Sequence, residues 1–124
     1  MLKLTLYGAP VTKKNSGQIW INQKTNKPFI APSKAYKSYE KDCGRQITGD
    51  KKQHIDVPIN LKCVYYMSNR RKVDLCNLLG ATCDILVKFG VLADDNSKIV
   101  QSHDGSRVLT DTANPRVEIE IEEV

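Results

Sequence analysis

The segment "VDLCNLLGATCDILVKFG", residues 73 to 90, constrains the fold more than any other part of the chain. Asp74 is a favoured N-cap, Val73 and Leu78 are spaced for a hydrophobic staple, and Gly90 supplies a C-terminal stop. Leu75, Leu78, Leu79, Thr82, Leu86 and Phe89 recur at three- and four-residue intervals, with Ile85 beside them, so the spacing predicts a helix over 75–89 with one buried stripe. Such a stripe needs an apolar surface to lie on. Asn77, Gly80 and Asp84 fall on another face, and Asp84 precedes Lys88 by four residues, the spacing of a helical ion pair.

The remaining segments read as the covering sheet and a second helix. "LKLTLYG" alternates from Leu2 to Leu6 and reads as a strand, while "IWIN" and "PFIA" around "QKTNK" predict a hairpin. Ser33 is the expected N-cap of a helix over 34–48, with Tyr36, Tyr39, Cys43 and Ile47 on its apolar face. "GDKKQHIDVP" is a connecting loop. Leu61, Cys63 and Tyr65 alternate within "INLKCVYYM"; a strand is expected around "KIVQS", a turn at "HDGS", and a last strand in "PRVEIEIEEV" with Val117, Ile119 and Ile121 inward. This order predicts one α+β (mixed α/β) domain, residues 1–124, with a largely antiparallel sheet and two main helices packed on it.

Trp20, Tyr36 and Tyr39 are expected in that core. No signal peptide and no apolar run of membrane-spanning length is present, which sets the expectation of a soluble, cytoplasmic protein without membrane association. The cysteines at 43, 63, 76 and 83 form no C-x-x-C pair, and only His54 and His103 are available to complete a zinc site. Buried free thiols are the expectation.

Charge is divided along the chain. Residues 1–73 hold 15 Lys or Arg against 4 acids, net +11, and residues 74–124 hold 4 against 10, net −6. A basic body beside an acidic cluster is what a metal-dependent enzyme acting on a polyanion needs, although lysines scattered over solvated faces explain the basic half equally well. Three groups carry the candidate chemistry: "KKNS" at 13–16, the segment from Arg70 to Asp84, and the pair Asp94 and Asp95. Individually, Asp74 reads as a cap and Asp94–Asp95 as a turn. Together they suggest more. A helix over 75–89 is about 22 Å long, and five extended residues beyond Gly90 travel back about 17 Å, so Asp95 is expected near the N-terminal end of that helix. Carboxylates gathered there suit Mg²⁺, a hard ion with oxygen ligands.

"RRKVDLCNLLGATCDILVKFGVLADDNSKIV" resembles the core of the RusA family of Holliday junction resolvases: a basic run, then D-L-D-N-L, a further aspartate in the same helix, and a D-D pair about twenty residues after the first. "GAPVTKKNS", "PSKAYKSYEKDC", "DGSR" and "NPRVEIEI" resemble segments of its phage or prophage branch, so the likeness covers most of the chain. The resemblance implies a homodimeric endodeoxyribonuclease of recombination and repair that binds four-way DNA junctions and uses Mg²⁺ for paired, symmetric nicks. It places the catalytic, metal-holding aspartates at Asp74 and Asp95, with Asp94 and Asp84 at neighbouring acidic positions of the same metal site. Two positions depart from the family. Cys76 stands where it has a second motif aspartate, and sulfur is a poor ligand for a hard cation; Gly80 stands where it has a lysine. DNA contacts are expected from Lys13, Lys14, Asn15, Arg70, Arg71 and Lys72, mainly to phosphates. The alternatives are a junction-binding protein of the same fold with weakened or lost cleavage, and a protein-interaction module whose acids are caps and turns.

Overall fold

A computed structural model describes residues 2–13, 18–31 and 33–124. Its strands are β1 (Leu2–Tyr7), β2 (Gln18–Asn22), β3 (Lys27–Ala31), β4 (Ile59–Met67), β5 (Val100–Ser102), β6 (Arg107–Thr110) and β7 (Arg116–Glu123). The helices are α1 (Lys34–Gln46) and α2 (Leu75–Lys88), with a 3-10 turn over Gly49–Lys51. β2 and β3 form the expected antiparallel hairpin, and the other five strands form one sheet. This is an α+β domain with a mixed, mostly antiparallel sheet.

β7 is the spine of that sheet, pairing antiparallel with β1 on one side and β4 on the other. Its register builds three apolar ranks on one face: Leu2–Ile121–Leu61, Leu4–Ile119–Cys63 and Leu6–Val117–Tyr65. All but half-buried Leu4 are buried, and they join α1 and α2 in one core. The other face is polar because strand side chains alternate. There Glu120 sits between Lys3 (3.5 Å) and Lys62 (3.6 Å), and the Arg116 guanidinium lies 3.9 Å over the Tyr66 ring while bonding Asp111 and Glu118.

The other edge of β4 holds β5 and β6, both parallel to it, β5 along Ile59–Asn60 and β6 along Val64–Met67. Between them the turn at 103–106 passes through Gly105 at φ +86°. The expected strand and turn are present, but β6 and the parallel pairing were not anticipated. Its four residues, RVLT, are exposed except for half-buried Val108, and so carry no alternating pattern.

Both helices end close to the expected limits. Ser33 caps α1, its Oγ accepting from Tyr36 N–H at 3.2 Å, and Gly90 leaves α2 at φ +81°. Tyr36 and Tyr39 are buried as expected, as are Cys43, Cys63 and Cys83; Cys76 is exposed, a correction to the expectation of buried thiols throughout. The cause is helical phase, since Thr82 and Leu78 take the inward face. The Trp20 side chain lies outside the described residues. Among the described residues no helix is long and apolar enough to cross a membrane.

Gly44 of α1 faces Phe89 at the end of α2, where an added Cβ would lie 2.3 Å from the ring. Alanine is intrinsically better in a helix than glycine by about 1 kcal/mol, whereas overpacking costs about 1–3 kcal/mol. Gly44→Ala is therefore expected to lower Tm in the native background and to raise it in Phe89→Ala; thermal melts of the four proteins check this inversion of sign.

Candidate active site

α2 is rotated by its burial. The Tyr65 hydroxyl lies 2.6 Å from Thr82 Oγ1, and Thr82 Oγ1 donates to Leu78 O at 3.0 Å, tying the inward face to β4. Two residues further on, about 200° around the helix, Asp84 is exposed with Gly80 and Cys76, while Asn77 is half-buried. At the N-terminus, Asp74 Oδ1 accepts from Cys76 N–H at 2.9 Å, so the N-cap reading of Asp74 holds.

The chain beyond α2 turns back sharply. Val91 and Leu92 N–H both donate to Leu86 O, and residues 90–93 zip to the preceding loop through His54 N–H to Gly90 O (2.9 Å), Ile55 N–H to Val91 O (3.0 Å) and Ala93 N–H to Ile55 O (2.9 Å). Val91 and Leu92 are buried, which anchors the exposed "ADDN" turn that follows. Within it Asp95 N–H donates to Asp94 Oδ1 at 2.7 Å and Asn96 Nδ2 to Asp94 Oδ2 at 3.2 Å. Partial desolvation, the bond to Asp94, and the charges of Asp84 and Asp94 raise the Asp95 carboxyl above the ordinary aspartate range. Burial, with Asp95 and Asp84 nearby, pushes the Cys83 thiol up to about 12, keeping it protonated.

Asp94 and Asp95 thus follow directly on the anchored stretch after α2, and the charge of Asp84 on α2 is among the causes that raise the Asp95 carboxyl. The return path of the chain toward Asp95 runs through the parallel bridge between Ile55 and Leu92. Asp74 precedes Asp84 by ten residues, about 15 Å of helical rise. The expected Asp84–Lys88 pair is replaced by two longer-range ones. Lys88 Nζ lies 2.5 Å from Glu40 on α1, and Asp84 Oδ2 lies 3.6 Å from Lys13 Nζ in the loop after β1. Neither partner carries a local spacing signal. Lys13 also sits 5.9 Å from the centroid of the Tyr36 ring. Arg70, Arg71 and Lys72 are exposed in the segment leading into α2, where Arg71 N–H bonds Asn69 Oδ1 at 2.9 Å. Lys14 and Asn15 lie outside the described residues.

Among the described residues no group of three or more His, Cys, Asp or Glu side chains is arranged to hold a metal ion. A pair of carboxylates is nevertheless enough for Mg²⁺, which keeps several waters and is completed by substrate phosphate. The donor set fits in kind. Partial desolvation, the bond to Asp94 and the charges of Asp84 and Asp94 disfavour the ionised form of Asp95, a condition that a bound divalent cation would relieve.

Two substitutions separate structure from chemistry. Asn caps helices as well as Asp does, whereas Ala costs about 1 kcal/mol; Asp74→Asn is therefore expected to keep the native Tm and Asp74→Ala to lower it. Asp95 holds its proton more tightly in the folded chain than in the unfolded one, so above both pKa values its ionised form opposes folding, an effect that fades as pH falls through the folded pKa. Metal-free Asp95→Asn should accordingly melt above the native protein at pH 7, with the difference shrinking toward pH 4.

The model of the family described as endodeoxyribonuclease RusA matches residues 8–122. No curated protein matches the chain.

Proposed function

The chain belongs to the RusA endodeoxyribonuclease family, and from that premise we propose that it is a Mg²⁺-dependent, structure-specific endonuclease that resolves four-way DNA junctions by paired, symmetric nicks. The observation that carries this reading is the family match over residues 8–122, and the charges of Asp84 and Asp94 felt at Asp95, in a chain whose net charge is +5, are consistent with it. Asp95, Asp84 and Asp94 are the metal-holding carboxylates in this proposal, with Asp74 a catalytic carboxylate at the head of the same helix. A Mg²⁺ ion held there supplies Lewis-acid stabilisation of the phosphate and a more acidic water. Arg70, Arg71 and Lys72, with Lys13, Lys14 and Asn15, bind backbone phosphates and lead the strand toward the carboxylates. A homodimer would present two equivalent sites to the two equivalent strands of a junction.

One observation favours a second reading, that of a junction binder with weakened cleavage. Cys76 is exposed near the start of α2, on the side of the helix shared with Gly80 and Asp84, and offers a thiol where a hard cation needs oxygen.

The deciding experiment incubates the protein with a synthetic four-way junction and with plain duplex, with and without Mg²⁺, over a range of salt. The enzyme gives metal-dependent paired nicks that fall on the order of 100-fold or more in Asp95→Asn, since a metal site supplies several kcal/mol at the transition state. Junction retention without nicking, with cutting gained in Cys76→Asp, establishes the binder; no preference for branched DNA would falsify both. Log affinity should fall linearly with log salt, and Arg71→Ala should lower that slope by about 1.

A further inference from the structure

We infer that the outer ridge of α1 is a second DNA-binding surface, on which Lys34, Lys37, Lys41 and Arg45 grip the phosphate backbone of a duplex arm leaving the junction. The inference rests on the function proposed above and adds four cations to those named there. At about 100° per residue, the four fall within about 80° of one another, opposite buried Tyr36, Tyr39 and Cys43. All four are exposed, with exposed Ser38 beside them, and no acid stands in that sector. The two acids of α1 lie off it. Glu40 is drawn to Lys88 of α2, and Asp42 bonds Arg45 at 3.1 Å. Among the described residues Lys34, Lys37 and Lys41 pair with no carboxylate.

Solubility and helix stability do not account for this arrangement. Lys37 and Lys41, and again Lys41 and Arg45, are four residues apart, the spacing at which like charges destabilise a helix. Lys34 opens α1 at the positive end of its macrodipole, Lys37 follows one turn later, and the first turn holds no acid to offset them. A helix shaped by solvation alone would interleave acids along such a ridge and place them in its first turn. Here the repulsion is left standing on the most exposed side of the helix. A polyanion laid along the ridge converts each of these unfavourable contacts into attraction.

Dimensions and rigidity select the duplex. From Lys34 to Arg45 the ridge rises about 16 Å, the axial length of about five nucleotides of one strand. The helix beneath it is fixed at both ends and along its inner side. Ser33 caps the start, and the Gln46 side chain clamps the last turn to β1, accepting from Tyr7 N–H at 2.7 Å and donating to Tyr7 O at 2.9 Å. A fixed row of cations matches a fixed row of phosphates. Lysine ammonium groups act as point charges and carry no base-reading geometry, so the grip is one of backbone and not of sequence. Among the described residues none of the four cations pairs with Asp74, Asp84, Asp94 or Asp95, which assigns them to an arm and not to the cleaved phosphate.

The test measures binding to a four-way junction and to plain duplex over a range of salt. It compares native protein with Lys37→Gln/Lys41→Gln on the ridge and with Lys3→Gln/Lys62→Gln, which removes the same charge from the polar face of the sheet. The ridge pair should lower the slope of log affinity against log salt by about 2 and weaken binding on the order of tenfold at about 0.1 M salt. Both changes should appear on junction and duplex alike, and the sheet pair should keep the native slope. Glutamine matches lysine in helix propensity, so the ridge pair should melt no lower than native protein, and at saturating protein it should nick the junction at the native single-turnover rate. An unchanged slope, an equal loss in the sheet pair, or a loss confined to the junction overturns the inference, as does a slowed saturated rate. Native protein that binds the junction without nicking it fails the nuclease reading alone, and the comparison of slopes still decides the role of the ridge.

Discussion

The buried Tyr65 hydroxyl sets the orientation of everything around the candidate site. A tyrosine in the middle of an apolar sheet face must satisfy its O–H, and it does so 2.6 Å from Thr82 Oγ1 on α2. Thr82 in turn returns its own proton to Leu78 O, so the network closes within the core. The rotation of α2 follows from this bond. With Thr82, Leu78, Ile85 and Leu86 facing the sheet, helical geometry leaves Asp84, Gly80 and Cys76 outside. The helix that the core demands is therefore also the platform on which the acidic group is built.

The return of the chain after Gly90 completes that platform. Val91 and Leu92 are fully buried, and the backbone around them is paired with the loop at 54–55. Asp94 and Asp95 come immediately after this anchored stretch, so their positions depend on core packing and not on the turn alone. A pair of acids on an unanchored loop would separate under their own repulsion. Here the hydrogen bonds from Asp95 N–H and Asn96 Nδ2 to Asp94 hold the turn together.

How much of this was legible depended on whether the signal was local. The limits of α2, its N-cap and its stop are written in adjacent residues, as is the alternation of Val117, Ile119 and Ile121 that becomes the spine of the sheet. β6 was missed because an edge strand paired through its backbone needs no apolar alternation, and RVLT has none. Asp84 and Lys88 carry the spacing of a helical pair, yet each finds its partner on another element, because exposed i,i+4 pairs contribute only tenths of a kcal/mol and yield readily to competitors. The family resemblance was legible in motif spacing, but the convergence of Lys13, Tyr36 and Asp84 was not, since it joins residues 13, 36 and 84.

The division of charge along the sequence acquires a spatial meaning at that convergence. The basic half sends Lys13 onto a carboxylate of the acidic half, and Lys88 of the acidic half answers Glu40 of the basic half. These two contacts do not neutralise the carboxylate group. Asp94 and Asp95 remain adjacent, and Asp95 keeps a raised affinity for its proton because partial desolvation, the bond to Asp94 and the charges of Asp84 and Asp94 disfavour its ionised form. A fold selected for stability alone would separate these acids or surround them with lysines, of which this chain has many. It instead anchors them between buried Leu92 and buried Ile99, so that core packing holds the acids in place against their repulsion.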